Sequence, residues 1–140
     1  MQIETKSIRD GKMIGDVVWI CHYNRPDLDK KPLRNVPPTK VLIRDNDELP
    51  KNKKVYYSET HFSPIGKNGK AQAKVISPVD NTGYRTLCGN ELFVFTTEEE
   101  CNAEWNKQLD EQCKRLDEKI ANAAKYWENK KSEILKSKRK

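Results

Sequence analysis

Six side chains in this sequence have the chemistry of nucleophiles or soft metal ligands: Cys21, His22, His61, Cys88, Cys101 and Cys113. A thiolate held by an imidazole is the smallest set that does covalent catalysis, and Cys88 with His61 is one such pairing. Neither residue carries a local mark of that role. Cys88 beside Gly89 also suits a small residue in a bend. No two cysteines form a C-x-x-C pair, so neither a zinc knuckle nor a thioredoxin motif is present. Cys21 and His22 are adjacent, and on a strand adjacent side chains point to opposite faces, which makes them poor co-ligands. No G-x-x-x-x-G-K-[ST] phosphate loop, H-E-x-x-H or G-x-S-x-G occurs. The expectation is a non-enzymatic protein with no metal, no cofactor and four free thiols, mostly buried. A small Cys/His enzyme is the third-ranked alternative.

Binding chemistry is better represented. The stretch "SPVDNTGYRTLCGNELFVF" (Ser77 to Phe95) sets Asp80, Asn81, Thr82, Gly83, Tyr84 and Arg85 between two apolar runs. Gly83 permits a positive φ, and Asn81 and Thr82 can cap the local backbone. Tyr84 and Arg85 would then project a ring beside a guanidinium, a pair that holds a base, a phosphate or a partner protein. Alternatively Asp80 pairs with Arg85 across the turn and nothing binds. Further bases cluster in the connections: Arg25, Lys30, Lys31 and Arg34; Lys51, Lys53 and Lys54; Lys67, Lys70 and Lys74. Aromatics are interleaved at Tyr23, Tyr56, Tyr57, Phe62 and Tyr84. Aromatic faces stack bases while Lys and Arg neutralise phosphates. The candidate ligand-binding set is therefore Asn81, Tyr84, Arg85, Tyr57, Lys53, Lys54, Lys67 and Lys70. For Tyr56 and Tyr57 the plainer expectation is that one faces the core and its neighbour does not, as on any strand.

These residues need a scaffold, and composition limits its size. The chain has 140 residues, 35% hydrophobic and 34% charged, with a net charge of +6. A modest core of this kind favours a compact part plus an exposed helical part. The opening MQIETKSIRDGKM lacks the apolar stretch of a signal peptide, and no apolar run approaches a membrane span of about 18 residues. A soluble, cytoplasmic protein is expected.

Two regimes meet near Thr96 and Thr97. Up to Thr96 there are 16 Lys and Arg against 11 Asp and Glu. Here the apolar residues fall in short β-branched and aromatic runs: Met13 to Tyr23, Thr39 to Arg44, Lys53 to Ser58, His61 to Ile65, Ala73 to Ser77 and Glu91 to Phe95. "QIETKSI" adds an edge strand. Asn68-Gly69 supplies a hairpin turn, and the Pro-rich stretch Asn24 to Pro38 a long loop. Five or six short strands predict a small, mostly antiparallel β-barrel, SH3-like or OB-like, over residues 1–96.

From Thr97 the apolar period changes. Thr97-Glu98-Glu99-Glu100 has the form of a capping box, and no Gly or Pro follows as far as Lys140. One long helix is predicted over most of residues 97–140, its first turns packing on the β-domain through Cys101 and Trp105. Leu109, Cys113, Leu116, Ile120, Ala123, Trp127 and Ile134 recur at alternating steps of four and three, with Lys130 in one slot, which is a heptad seam. From Glu98 to Glu118 the helix has net charge −5, and from Lys119 to Lys140 it has +6. A homodimer through this seam is expected, antiparallel pairing being favoured because it sets acid against base. The alternatives are a different protein partner, or a helix that folds back.

The α+β layout resembles small accessory proteins of bacteriophages and mobile elements: a short chain, a Lys-rich β-domain, and a last strand running into "FTTEEECNAEWN" and a charged helix. That resemblance implies a protein acting on nucleic acid or on host machinery, including inhibition of a host enzyme or defence system. The leading expectation is a binding protein whose barrel loops meet nucleic acid or a nucleotide. The second is an inhibitor or adaptor that meets an acidic host-protein surface.

Overall fold

The computed structural model of the chain describes residues 1–24, 36–79 and 90–139. The chain divides into two compact units, Met1–Asn106 and Lys107–Lys140.

Unit one is built on an antiparallel sheet of β1 (Gln2–Ile3), β2 (Val17–Asn24), β3 (Val36–Asp45), β4 (Thr60–Pro64) and β5 (Asn90–Phe95), in the order β1-β5-β2-β3-β4. The sheet is open: β1 and β4 lie at opposite edges and do not pair. The expected barrel is therefore an antiparallel sheet without closure, and helices cover its faces instead.

The period of two explains how. On β2, Val18 and Ile20 enter one cluster with Ile8, Val41, Ile43, Phe62, Ile76, Leu92 and Val94. The alternate residues Trp19 and Cys21 enter a second cluster with Phe93, Phe95, Cys101 and Trp105. Successive strand side chains point to opposite faces, so one sheet serves two cores. The first cluster takes Ile8 from the short helix α1 (Thr5–Arg9). The second takes Cys101 and Trp105 from the start of α2 (Glu98–Lys136). Each fully buried Val, Ile or Phe in such clusters contributes about 1.5–3 kcal/mol.

Both edges are blunted. β1 has only two residues. Beside β4, the Phe62 amide donates to the Ile76 carbonyl at 2.9 Å and the Ile76 amide returns a bond at 3.0 Å. Ala73 to Ser77 thus supplies an isolated bridge at Ile76 rather than the expected strand. Pro37 and Pro38 have no amide to give a ladder, and the β2–β3 register shifts between Ile20 and His22, opposite them. Met13 to Gly15, expected in a strand, forms a turn that Gly15 closes at φ +95°.

The helix start follows the capping chemistry with one change. The Thr97 hydroxyl accepts the Glu100 amide at 3.3 Å and donates to the Glu100 carboxylate at 2.8 Å. The returning carboxylate therefore meets the cap's hydroxyl rather than its amide. Because Cys101 and Trp105 pack on the sheet, unit one ends at Asn106, ten residues beyond the boundary that composition marks.

Unit two is the rest of α2 and the residues after it. Leu109, Cys113, Leu116, Ile120, Ala123 and Trp127 are all exposed there. Among the described residues no helix is long and apolar enough to cross a membrane.

Candidate functional site

Among the described residues of unit one, the connection from β3 to β4 holds the most exposed aromatic pair. Lys53 to Ser58, expected as a strand, is instead the end of a 3-10 turn (Lys51–Lys53) followed by an irregular loop. Tyr56 is 82% exposed and Tyr57 is 89% exposed. Strand alternation would have buried one of them.

The loop keeps its shape through one buried side chain. Asn46 closes β3, and its amide bonds the loop on both shoulders of the tyrosine pair. Asn46 Nδ2 donates to the Val55 carbonyl at 2.8 Å and to the Ser58 carbonyl at 3.2 Å. Asn46 Oδ1 accepts the Val55 amide at 2.9 Å. Two carbonyls face the nitrogen and one amide faces the oxygen, so only one orientation of the side-chain amide satisfies the set. The Asn46 backbone amide donates to the Glu59 carbonyl at 2.9 Å, and the Glu59 amide to the Arg9 carbonyl at 2.8 Å. At the foot of the loop, the Thr60 hydroxyl donates to the Ile8 carbonyl at 2.8 Å. The tyrosines are thus tied to β3, to the segment from α1 and to the start of β4.

Tyr57 sits at φ +62°, the only non-glycine with positive φ among the described residues. The left-handed region costs an L-residue roughly 1–2 kcal/mol through its Cβ. A bulky aromatic there needs a surrounding structure that enforces it, and such outliers cluster at binding sites. The Asn46 clasp supplies the enforcement. An exposed side chain gains nothing from the core in return.

Charge around the pair is ordered. Arg44 bonds Glu48 at 2.7 Å, and Lys54 lies 3.3 Å from Asp47. Lys51 and Lys53 are exposed, and neither has an ion pair among the described residues. The unpaired positive charge of the loop therefore lies on Lys51 and Lys53, a few residues before the tyrosine pair in the chain. Of the candidate residues, Tyr57, Lys53 and Lys54 come together here. Lys67 and Lys70 do not join them. They flank the turn at Gly69 (φ +77°), at the other end of β4. A five-residue strand separates the two groups by about 16 Å. Phe62 is a core residue and not a stacking surface. Asn81, Tyr84, Arg85 and Cys88 lie outside the described residues, as do Arg25, Lys30, Lys31 and Arg34.

The residues suited to covalent chemistry sit elsewhere. His61 is 2% exposed on β4, and its Nδ1 has no hydrogen-bond partner among the described residues. Burial, then the Arg44 guanidinium, holds its pKa below the ordinary histidine value, against weaker opposing effects of Glu48 and Asp45. Cys21 and Cys101 are buried against each other, with Cys21 Sγ 4.0 Å from the Cys101 carbonyl. The hydrogen bond with Cys101, then burial, pushes the Cys21 thiol up, so it stays protonated and non-nucleophilic at neutral pH. Among the described residues no cluster of three or more His, Cys, Asp or Glu could hold a metal ion.

His61 makes a prediction about stability. Its pKa is lower folded than unfolded, so below about 6.5 the unfolded chain binds the extra proton. The stability from neutral His61 is complete above that pH and is lost as pH falls from there toward the folded pKa. Urea unfolding of the wild type is expected to weaken between pH 7.5 and pH 5 by more than that of His61→Phe, which keeps a ring but does not titrate. Equal weakening in the two proteins would refute this; His22 is common to both and cancels.

Comparison with protein-family models, with curated proteins and with solved structures finds no match to this chain. Its functional reading rests on the loop itself.

Proposed function

We propose that this is a non-enzymatic binding protein, and that the β3–β4 loop receives single-stranded nucleic acid. The observation that carries the reading is the Tyr56–Tyr57 pair, both rings more than four-fifths exposed, held by Asn46 with Tyr57 in the left-handed region. Each ring offers a face for base stacking, worth about 1–3 kcal/mol per base. Lys51 and Lys53, exposed earlier in the same loop, neutralise backbone phosphates. The layout of bacteriophage and mobile-element accessory proteins and a cytoplasmic setting are consistent with this role.

A second reading has its own observation. Arg44, Lys51, Lys53 and Lys54 are balanced by Asp45, Asp47, Glu48 and Glu59 over the same segment. A rigid tyrosine pair ringed by both charges also suits a host-protein surface, where Tyr is a favoured hot-spot residue. This is the inhibitor or adaptor form of the same site.

Fluorescence polarisation against labelled single-stranded RNA and DNA at two salt concentrations separates them. Nucleic-acid binding is expected to weaken with salt. Tyr56→Ala with Tyr57→Ala should lower affinity about tenfold or more at either salt. Lys51→Gln with Lys53→Gln should instead flatten the salt dependence, by about 0.7 in log–log slope for each phosphate that is no longer neutralised. No binding at low salt would sink the nucleic-acid reading and leave the protein-surface one.

A further inference from the structure

We infer that the helical unit Lys107–Lys140 pairs with the same unit of a second copy, antiparallel, about a two-fold axis that passes between Ala121 and Asn122. The seam leaves large apolar groups in water: Ile120 is 66% exposed, Trp127 66% and Ile134 71%. Tyr126 packs edge-on to Trp127, the ring centroids 5.0 Å apart, and is exposed beside it. An apolar stripe of this length needs a cover.

The spacing of the stripe selects the cover. Positions 109, 113, 116, 120, 123, 127, 130 and 134 are symmetric about the point between residues 121 and 122. Reversing the helix about that point lays the seam on itself. Ile120 then meets Ala123 of the partner subunit, large against small. Leu116 meets the partner's Trp127, and Leu109 meets the partner's Ile134. Cys113 meets the partner's Lys130. These are mixed a–d layers, as antiparallel packing requires. On the flank, Asp110 faces the partner's Lys131, and symmetry forms this pair twice.

A parallel pair in register is worse in each respect. It stacks Lys130 on Lys130 and Trp127 on Trp127, and aligns the acidic start of α2 with itself and the basic end with itself. Lys130 thus acts against one orientation, as a lone polar seam residue does in coiled coils. Exposed ion pairs are individually weak, so charge sets direction while the apolar layers supply affinity.

The full chain is used to test this. Its mass by light scattering is expected to be twice the 16.3 kDa of one chain. Ile120→Asp should raise the dimer dissociation constant about a hundredfold or more by burying a carboxylate in the central layer. Ile120 is exposed in the single chain, so the variant's unfolding midpoint at monomeric concentration should not move. Orientation is read by disulfide trapping with diamide in a Cys88→Ser background. Cys113 should not cross-link to itself. Lys130→Cys should give a covalent dimer, and adding Cys113→Ser should abolish it. A monomer at all concentrations overturns the pairing. A Cys113–Cys113 dimer, formed with Lys130 still in the seam, overturns the orientation.

Discussion

Asn46→Ala is expected to destabilise unit one by about 2–4 kcal/mol, a large share of the stability of a small domain. Three hydrogen bonds disappear together, each worth about 1 kcal/mol net. The larger cost is what remains: the Val55 amide and the Val55 and Ser58 carbonyls lose their partner in a partly buried setting. Water can replace them only if the loop moves away, and then the tyrosine pair is no longer held. Asn46→Asp should be at least as damaging. It keeps the acceptor for the Val55 amide but turns a second carboxylate oxygen toward two carbonyls, where a donor stood. Urea unfolding at pH 7.5 measures both. A loss under about 0.5 kcal/mol for Asn46→Ala would mean that the clasp does not hold the loop.

This clasp marks where the sequence stops being readable. The β-branched and aromatic run Met13 to Tyr23 is written locally, and most of it, Val17 onward, is a strand; that both its faces are buried emerges only from what packs on the sheet. Thr97 with Glu100, and Gly69 at a positive φ, are local as well. "KKVYYS" fails for a definite reason. Its valine and two tyrosines have β-propensity, yet its backbone bonds go to a side chain nine residues earlier, not to a neighbouring strand. Propensity reports how well a residue fits a pleated surface, not where its hydrogen bonds go. Closure of the sheet is equally non-local, since it depends on which edges meet once helices have covered the faces. The separation of Lys53 and Lys54 from Lys67 and Lys70 requires strand order, which no basic cluster encodes. Tyr56 and Lys51 stood among the basic and aromatic residues of the sequence, but only the loop geometry joins them to Tyr57.

Tyr57→Gly is expected to separate folding from binding. At φ +62° glycine has no Cβ to clash, so the substitution removes roughly 1 kcal/mol of backbone strain. Little burial is lost, because the ring is almost wholly in solvent. Against the relief stands the greater freedom of glycine in the unfolded chain, roughly 0.5–1 kcal/mol. The sum is a stability unchanged within about 1 kcal/mol. Binding moves differently. Loss of one stacking face should weaken single-stranded nucleic acid by about 1–3 kcal/mol, roughly five- to 150-fold, with the salt dependence unaltered because no cation is removed. A residue kept for packing would show the opposite pattern, a large loss of stability and no specific loss of affinity. Parallel urea and polarisation titrations on Tyr57→Gly and on Tyr57→Asn, which also tolerates the left-handed region, therefore distinguish the two roles. If Tyr57→Gly unfolds much more readily than the wild type, the ring serves the fold. If stability holds and affinity for nucleic acid also holds, the strained tyrosine is directed at some other partner.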